Sequence, residues 1–541
     1  MTARTSLSFA RDARIWRAIA LAITLAGALA VAATHYAFSN TYEEPAHIAA
    51  GVEWLSGRYD YDPERPPLGR IAAGIGPYLR GERAASASSP ADDGARILGR
   101  GPHYRTTLAL ARLGEVPFFI LLCAVVWGWG RRLTDERGAA IATLLAATNP
   151  TLLAHAGLAT TDIALAATVA AALLAFVAWL DSPHWATALS LGAAAALAAA
   201  TDFIAIPMLA LAQMAIYAVR RRAKGASLWS GAPRWQSLLA IGLTIAAACV
   251  TGWAVYGFST GPVIDGSVIS VPAPGWFRGL LSYLTDTTTA RPAFLFSERS
   301  ASGWWYYYPV ALLVKTPLPL LLVATLGAAA AVRDFVRRAS AEPATVLAAT
   351  VAVLVVGAIG GDDGGVRLVL PVFAMIPLLG AIATVELWQA SGRSIPVQRF
   401  VRGAVVATCA AAIIVPLRAH PDYLAYFNPI AGDRPELILV DSNLDWGQDL
   451  YRLGTVMKRM RIDSIAVAYY GSASLEAAGV RNARLLSAAE RPRGWIAASQ
   501  TMLAGVGGDG AYEWLNELQP VGRVGASLVL FYVPPLPRRY R

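Results

Sequence analysis

Apolar residues fall along this chain in long unbroken blocks, without the alternation of a half-buried strand, and the blocks recur from Ala18 to Leu417. A hydrocarbon layer about 30 Å thick takes roughly 20 apolar residues to cross as a helix. Blocks near that length predict eleven spans: Ala18–Phe38, Leu113–Gly130, Gly138–Leu153, Ile163–Leu180, Ala186–Thr201, Phe203–Val219, Leu238–Tyr256, Tyr307–Val332, Ala344–Ile359, Val366–Trp388 and Gly403–Leu417. From Arg418 onward the apolar runs shorten to strand length, at Leu437–Val440, Ile465–Tyr469, Trp495–Ala498 and Leu528–Val533. Helix-like segments, Trp446–Met460 and Ala511–Leu518, lie between them. The expected architecture is a polytopic all-α membrane domain, residues 1–417, followed by a small α/β domain, residues 418–541.

Composition agrees: of 541 residues 56% are hydrophobic and 15% charged, against roughly 25% charged in an ordinary soluble protein. Cys123, Cys249 and Cys409 all sit inside apolar runs, so they read as small packing residues and supply neither a disulfide framework nor metal-ligand spacing. No cleavable leader is expected, because the first apolar run continues past signal length without a small-residue cleavage site before Glu43.

The net charge of +10 matters through its placement. Basic residues cluster at Arg11, Arg14 and Arg17, then at Arg131, Arg132 and Arg137, then at Arg220, Arg221, Arg222 and Lys224. Further clusters are Arg333, Arg337 and Arg338, and Arg393, Arg399 and Arg402. With the predicted spans, every cluster falls on one side, and short basic loops mark the cytoplasmic side. The long first outer loop, residues 39–112, also carries arginines, but long loops cross largely regardless of charge. The opposite side then receives TYEEPAHIAAG (Thr41–Gly51), PERPP (Pro63–Pro67), AHAGLATTD (Ala154–Asp162), SGWWYYYP (Ser302–Pro309), GDDGGVR (Gly361–Arg367) and everything after Leu417. Polar and aromatic stretches from distant loops on one face suggest one assembled site.

In the first of these stretches Pro45 suits the first turn of a helix and Glu44 suits its positive end. His47, Gly51 and Trp54 would share a face, as in a segment lying at the membrane interface. Two adjacent carboxylates at a membrane boundary repel each other and lose hydration, which predicts a raised pKa for one of them and a general base. A plain helix-capping acid pair beside a solvated histidine explains the same residues. In PERPPLGR a second helix starts at Pro66, with Glu64 and Arg65 just before it. An arginine beside free backbone N–H groups suits a phosphate, and an interfacial snorkelling arginine looks the same in sequence.

TYEEPAHIAAG followed by PERPPL, AHAGLATTD, GWWYYYPVALLVKTP and DSNLDWGQDL resembles the GT-C membrane glycosyltransferases, in particular the dolichyl-phosphate-mannose protein mannosyltransferase and aminoarabinose-transferase-like group. The matching stretches run from the first span into the C-terminal portion. The resemblance implies a GT-C-like fold in a bacterial cytoplasmic membrane with the C-terminal domain extracytoplasmic. It implies inverting transfer of a sugar from a polyprenyl-phosphate carrier to a lipid, glycan or protein acceptor on the outer face. The family carries an Asp-Glu pair in the first outer loop, with the aspartate essential; here Glu43 takes its place, one methylene longer.

On that basis Glu43, Glu44 and Asp162 are the catalytic candidates, with the family's order favouring Glu43 as base. His47, Glu64, Arg65, His155, Trp304, Lys315 and Arg367 are the substrate-binding candidates. The leaving group is already a good anion, so cations matter more than an acid, and Arg65, Lys315 and Arg367 are available. Lys315, about two turns inside its span, calls for an anionic partner or a wet cavity. Asp162 also reads as an N-cap, and Trp304–Tyr308 as an interfacial aromatic belt. A divalent cation is an open option for Asp162, but no cofactor is called for, and no nucleic-acid partner is expected. Asp441, Asn443 and Asp445 alternate as in a calcium loop, but the glycine comes one place late and Arg452 stands where a bidentate glutamate belongs, so capping of the next helix or acceptor recognition fits better. A lipid-pyrophosphate oligosaccharide donor, a transporter and a non-enzymatic envelope assembly factor are the alternatives. Transporters usually gather polar residues at mid-bilayer and show repeats, whereas here the polar residues gather at outer ends.

Overall fold

A computed structural model describes residues 3–63, 65–85, 89–224, 234–264, 268–286, 293–360, 363–389, 394–508 and 510–535. Among the described residues eight helical stretches are long and apolar enough to cross a membrane: Asp12–Thr34, Gly101–Leu133, Asp162–Asp181, Gln236–Val255, Leu318–Arg338, Ala341–Ile359, Val366–Gln389 and Ile395–Ala419. A ninth arises if the helices Glu136–Ala147 and Pro150–Ala156, which meet at 62°, count as one broken span. The remaining two of the eleven predicted spans are the shorter apolar helix Trp185–Ala199 and the helix Ala205–Lys224, whose last turns carry Arg220, Arg221 and Arg222.

Proline explains where expected spans break. Pro150 opens a helix whose first turn is capped by Asn149, through Thr151 N–H at 2.9 Å. The expected single span Tyr307–Val332 is two helices, Tyr307–Lys315 and Leu318–Arg338, because Thr316, before Pro317, takes the extended backbone that a following proline imposes.

Arg17 and Arg131 share Glu136, Arg132 and Arg220 share Asp181, and Arg220 also reaches Glu342. Those basic clusters therefore lie at one end of the bundle. At the other end are the first-loop helices Glu44–Leu55 and Leu68–Leu79, packed so closely that a Cβ on Gly51 would come within 1.9 Å of Arg70 O. Gly51 thus faces a partner helix and His47 is buried, where the sequence suggested an interfacial face. The helices Asp162–Asp181 and Val366–Gln389 are the most enclosed of the candidate spans, while Gln236–Val255 and Ile395–Ala419 are the most exposed.

Beyond Ala419 the chain forms a five-stranded mixed sheet: β1 (Ile465–Ala468), β2 (Ala483–Leu485), β3 (Gly494–Ser499), β4 (Gly522–Val524) and β5 (Leu528–Val533), in the order β2-β1-β3-β5-β4. β1 runs parallel to β2 and β3, and β5 antiparallel to β3 and β4. Helix Leu450–Met460 joins this unit. The expected strand Leu437–Val440 is instead a turn after Pro435, with Leu439 N–H on Pro435 O at 3.1 Å, and Ala511–Leu518 holds only the 3-10 helix Glu513–Glu517.

Candidate active site

The first-loop acids differ in surroundings although they are adjacent. Glu44 is wholly buried. Its Oε1 accepts from Arg112 Nε at 2.7 Å and Ala159 N–H at 2.9 Å, and its Oε2 from Arg112 Nη2 at 2.8 Å and Thr41 N–H at 2.7 Å. Arg112 also donates to the carbonyls of His35, Phe38 and Ser39. One ion pair thereby pins the end of the first helix, the first loop and the 157–161 turn together. A pair this deep needs all its polar atoms answered, and these are.

Glu43 turns the other way, to the site. Arg367 grips it bidentately, Nη1 to Oε2 at 2.7 Å and Nη2 to Oε1 at 3.0 Å, and His47 Nε2 stands 3.6 Å from Oε2. The same Arg367 Nη1 lies 4.0 Å from Asp162 Oδ1. Asp162 Oδ2 accepts from Thr160 Oγ1 at 2.7 Å and meets His155 Nδ1 at 3.2 Å. The Glu43 and Arg367 side chains keep 12% and 11% exposure, so both remain partly accessible to solvent. Asp162 and Arg367 stand at the beginnings of the two most enclosed helices, which fixes their separation from beneath.

Neither acid has the raised pKa that the sequence suggested. Burial alone pushes Glu43 up, but Arg367 foremost, then His47 and Arg65, hold it well below the ordinary carboxylate range. Burial of Glu44 is likewise outweighed by Arg112 and the N–H groups of Ala159 and Thr41. Burial lowers the His47 pKa despite Glu43 beside it, which keeps the imidazole neutral. A raised carboxyl near Arg367 is that of Asp441. Asp441, partly exposed and with a left-handed φ of 56°, is pushed up to about 7 by burial, with Arg367 opposing and Glu43 and Asp445 adding.

The sequence offered helix capping or acceptor recognition for DSNLDWGQD but named none of its residues as site candidates. The Arg367 guanidinium lies over the Trp446 ring, 4.8 Å from its centroid, and Asn443 Oδ1 accepts Val366 N–H at 3.1 Å. Tyr42 N–H reaches Trp446 O at 3.0 Å, and the Tyr42 ring stacks on Tyr470 at 5.1 Å. Two aspartates flanking an asparagine and a tryptophan were the available signal, hidden by their likeness to a cation loop. That likeness dissolves in space: Asn443 faces Val366 and Tyr307, while Asp445 Oδ2 accepts Thr501 N–H at 2.8 Å.

The other candidates are dispersed. Arg65 is exposed at the rim, and its charge acts on Glu43, His47 and Asp202. Lys315 finds no anionic partner among the described residues: its Nζ donates to Leu424 O at 2.8 Å and Asn443 O at 2.7 Å and lies over the Phe427 ring. Trp304 gives its N–H to Asp363 Oδ2 at 2.7 Å and packs on the core. Glu64, like Gly361 and Asp362 of GDDGGVR, lies outside the described residues. Among the described residues no three His, Cys, Asp or Glu side chains form a donor set for a metal ion, so the cation option has no fitted site there.

Residues 107–253, a little over a quarter of the chain, match the family described as dolichyl-phosphate-mannose-protein mannosyltransferase. Solved structures to which the chain is similar include ArnT from Cupriavidus metallidurans bound to undecaprenyl phosphate, with TM-score 0.48 and 13% identity over 96% of this chain and 99% of that one. The same protein in the apo state gives TM-score 0.49 and 13% identity over 97% and 100%. The archaeal oligosaccharyltransferase AglB from Archaeoglobus fulgidus, in complex with an inhibitory peptide and a dolichol-phosphate, gives TM-score 0.49 and 12% identity over 96% and 75%. None of the curated proteins compared matches the chain.

Proposed function

We propose that this chain is a membrane glycosyltransferase that moves a sugar from a polyprenyl-phosphate carrier to an acceptor hydroxyl on the outer face, with inversion and with Glu43 as base. The observation that carries the reading is the partly exposed Glu43 carboxylate paired with Arg367, which stands with Asp162 at the beginnings of the two most enclosed helices. The family match over residues 107–253 supports it independently. Group transfer from a phosphate ester needs those two functions side by side: a base for the attacking hydroxyl and a cation for the departing phosphate.

In the reaction the acceptor O–H proton passes to a Glu43 oxygen while the acceptor oxygen bonds to the anomeric carbon. The bond from that carbon to the phosphate oxygen breaks, and its electron pair leaves with the polyprenyl phosphate. Arg367, with Arg65 at the rim, neutralises that anion. Asp162 stays fixed by His155 and Thr160 near the same Arg367 Nη1 and helps to hold the guanidinium in place.

The test is reconstitution of the whole chain in bilayers with a panel of undecaprenyl-phosphate-linked sugars and a membrane extract as acceptor source. Release of undecaprenyl phosphate is the readout, because it is indifferent to the sugar. Glu43→Gln is expected to lower release about 100- to 10,000-fold, the usual range for a lost general base. Parental release by that variant would remove Glu43 from the mechanism.

A further inference from the structure

A base gripped bidentately by an arginine is a poor base, and an arginine that grips a carboxylate is a poor phosphate site. Both functions assigned above meet this obstacle, since Glu43 and Arg367 hold each other. Both Nη atoms serve Glu43, Nε lies 3.3 Å from Gly364 O, and the ring of Trp446 occupies one face. The fork that would take two phosphate oxygens is the fork already holding Glu43.

We propose, building on the function above, that the donor phosphate and Glu43 are mutually exclusive ligands of Arg367: the arriving phosphate takes the fork, and Glu43 is released to act as base only when donor is in place. The surroundings suit an exchange. His47 Nε2, at 3.6 Å, is a ready neutral partner that keeps the released carboxylate aimed into the site without locking it. Asp162, 4.0 Å from Arg367 Nη1, and the Trp446 ring hold the guanidinium in place while its partner changes. Glu44, fixed on Arg112, anchors the backbone next to Glu43, so the exchange is one of side-chain rotation. Released from Arg367, Glu43 regains basicity, since that arginine is the foremost influence holding its pKa down.

The order of affinities tests this in bilayer-embedded protein with undecaprenyl phosphate as probe. Glu43→Gln is expected to bind the probe about tenfold or more tightly than the parent, because the resident competitor for a charged hydrogen-bonded pair is gone. Asp162→Asn removes an equal charge beside the same nitrogen but frees no fork, so its gain is expected to be clearly smaller. Should Glu43→Gln fail to fold, Glu43→Ala gives the same comparison. Unchanged or weaker binding by the Glu43 variants overturns the exchange, as do equal gains from Glu43 and Asp162, which would reduce the effect to bulk charge. If transfer is lost in Glu43→Gln while binding is unchanged, the base assignment stands and the exchange alone falls. Parental transfer by that variant removes the base assignment itself.

Discussion

At the residue scale, the two neighbouring glutamates show how one helix start serves two purposes. The chain turns at Thr41 so that Glu43 and Glu44 point in opposite directions, one to the mouth and one to Arg112. Removing Glu44 leaves the wholly buried Arg112 charge unpaired. Glu44→Leu is therefore expected to cost about 3–5 kcal/mol, read from thermal unfolding in detergent, whereas the double change Glu44→Leu with Arg112→Met recovers much of that loss. An equal loss in the double variant would show that packing, not the unpaired charge, sets the penalty. The pH dependence follows from the same pair. Burial raises the Glu44 pKa, but Arg112 and the N–H groups bring it below its ordinary value of 4.5, so the folded state binds this proton less readily than the unfolded chain. The stabilisation is then complete above the unfolded carboxylate value and fades as pH falls through the folded one. Acid unfolding of the parent is expected to lack this component in Glu44→Leu with Arg112→Met, which a pH series of melting temperatures resolves.

At the scale of elements, the apolar blocks were legible because lipid demands continuous helices of a set length, and the long helices Asp162–Asp181 and Ala341–Ile359 fall where the pattern puts them. Breaks were less legible. The pattern at Tyr307–Val332 is uniformly apolar across a Pro317 junction, and apolar runs alone do not report a change of direction. The role of Lys315 shifts with that break. A lysine ending a short helix, with the carbonyls of Leu424 and Asn443 above it, ties the membrane part to the C-terminal segment. Lys315→Met is expected to lower stability by about 1–3 kcal/mol, the cost of leaving buried carbonyls unanswered, while folded protein binds undecaprenyl phosphate as the parent does. A large loss of probe affinity at parental melting temperature would return Lys315 to the phosphate site.

At the scale of the whole molecule, position at the ends of apolar runs drew attention to Glu43, Asp162 and Arg367, but for the two acids position alone also read as helix capping, and it was the family resemblance that made them catalytic candidates. The stretch holding Asp441 and Trp446 was noticed, but its nearness to Arg367 was not legible, since that is set by how the chain after Ala419 docks, and no periodicity encodes it. Docking is specified by small polar contacts: Ser39 N–H on Gln448 O, Tyr42 N–H on Trp446 O, Ser442 Oγ on Gly364 O. Because these contacts bring the C-terminal segment onto the site, that segment must lie on the same side of the membrane as Glu43. The basic clusters linked through Glu136 and Asp181 define the opposite end of the bundle, and from the preference of arginine for cytoplasmic loops we propose that the site faces outward. An alkaline phosphatase fusion after Arg541 is accordingly expected to be active. Cysteines placed at residues 221 and 222, beside the paired Arg220, are expected to resist impermeant thiol reagents in intact spheroplasts, while one at the exposed Tyr42 reacts. Labelling at 221 and 222 with a silent, stable fusion would invert the molecule. It would carry the site and the C-terminal segment together to the cytoplasmic face, because the contacts between them do not depend on which way the bundle points.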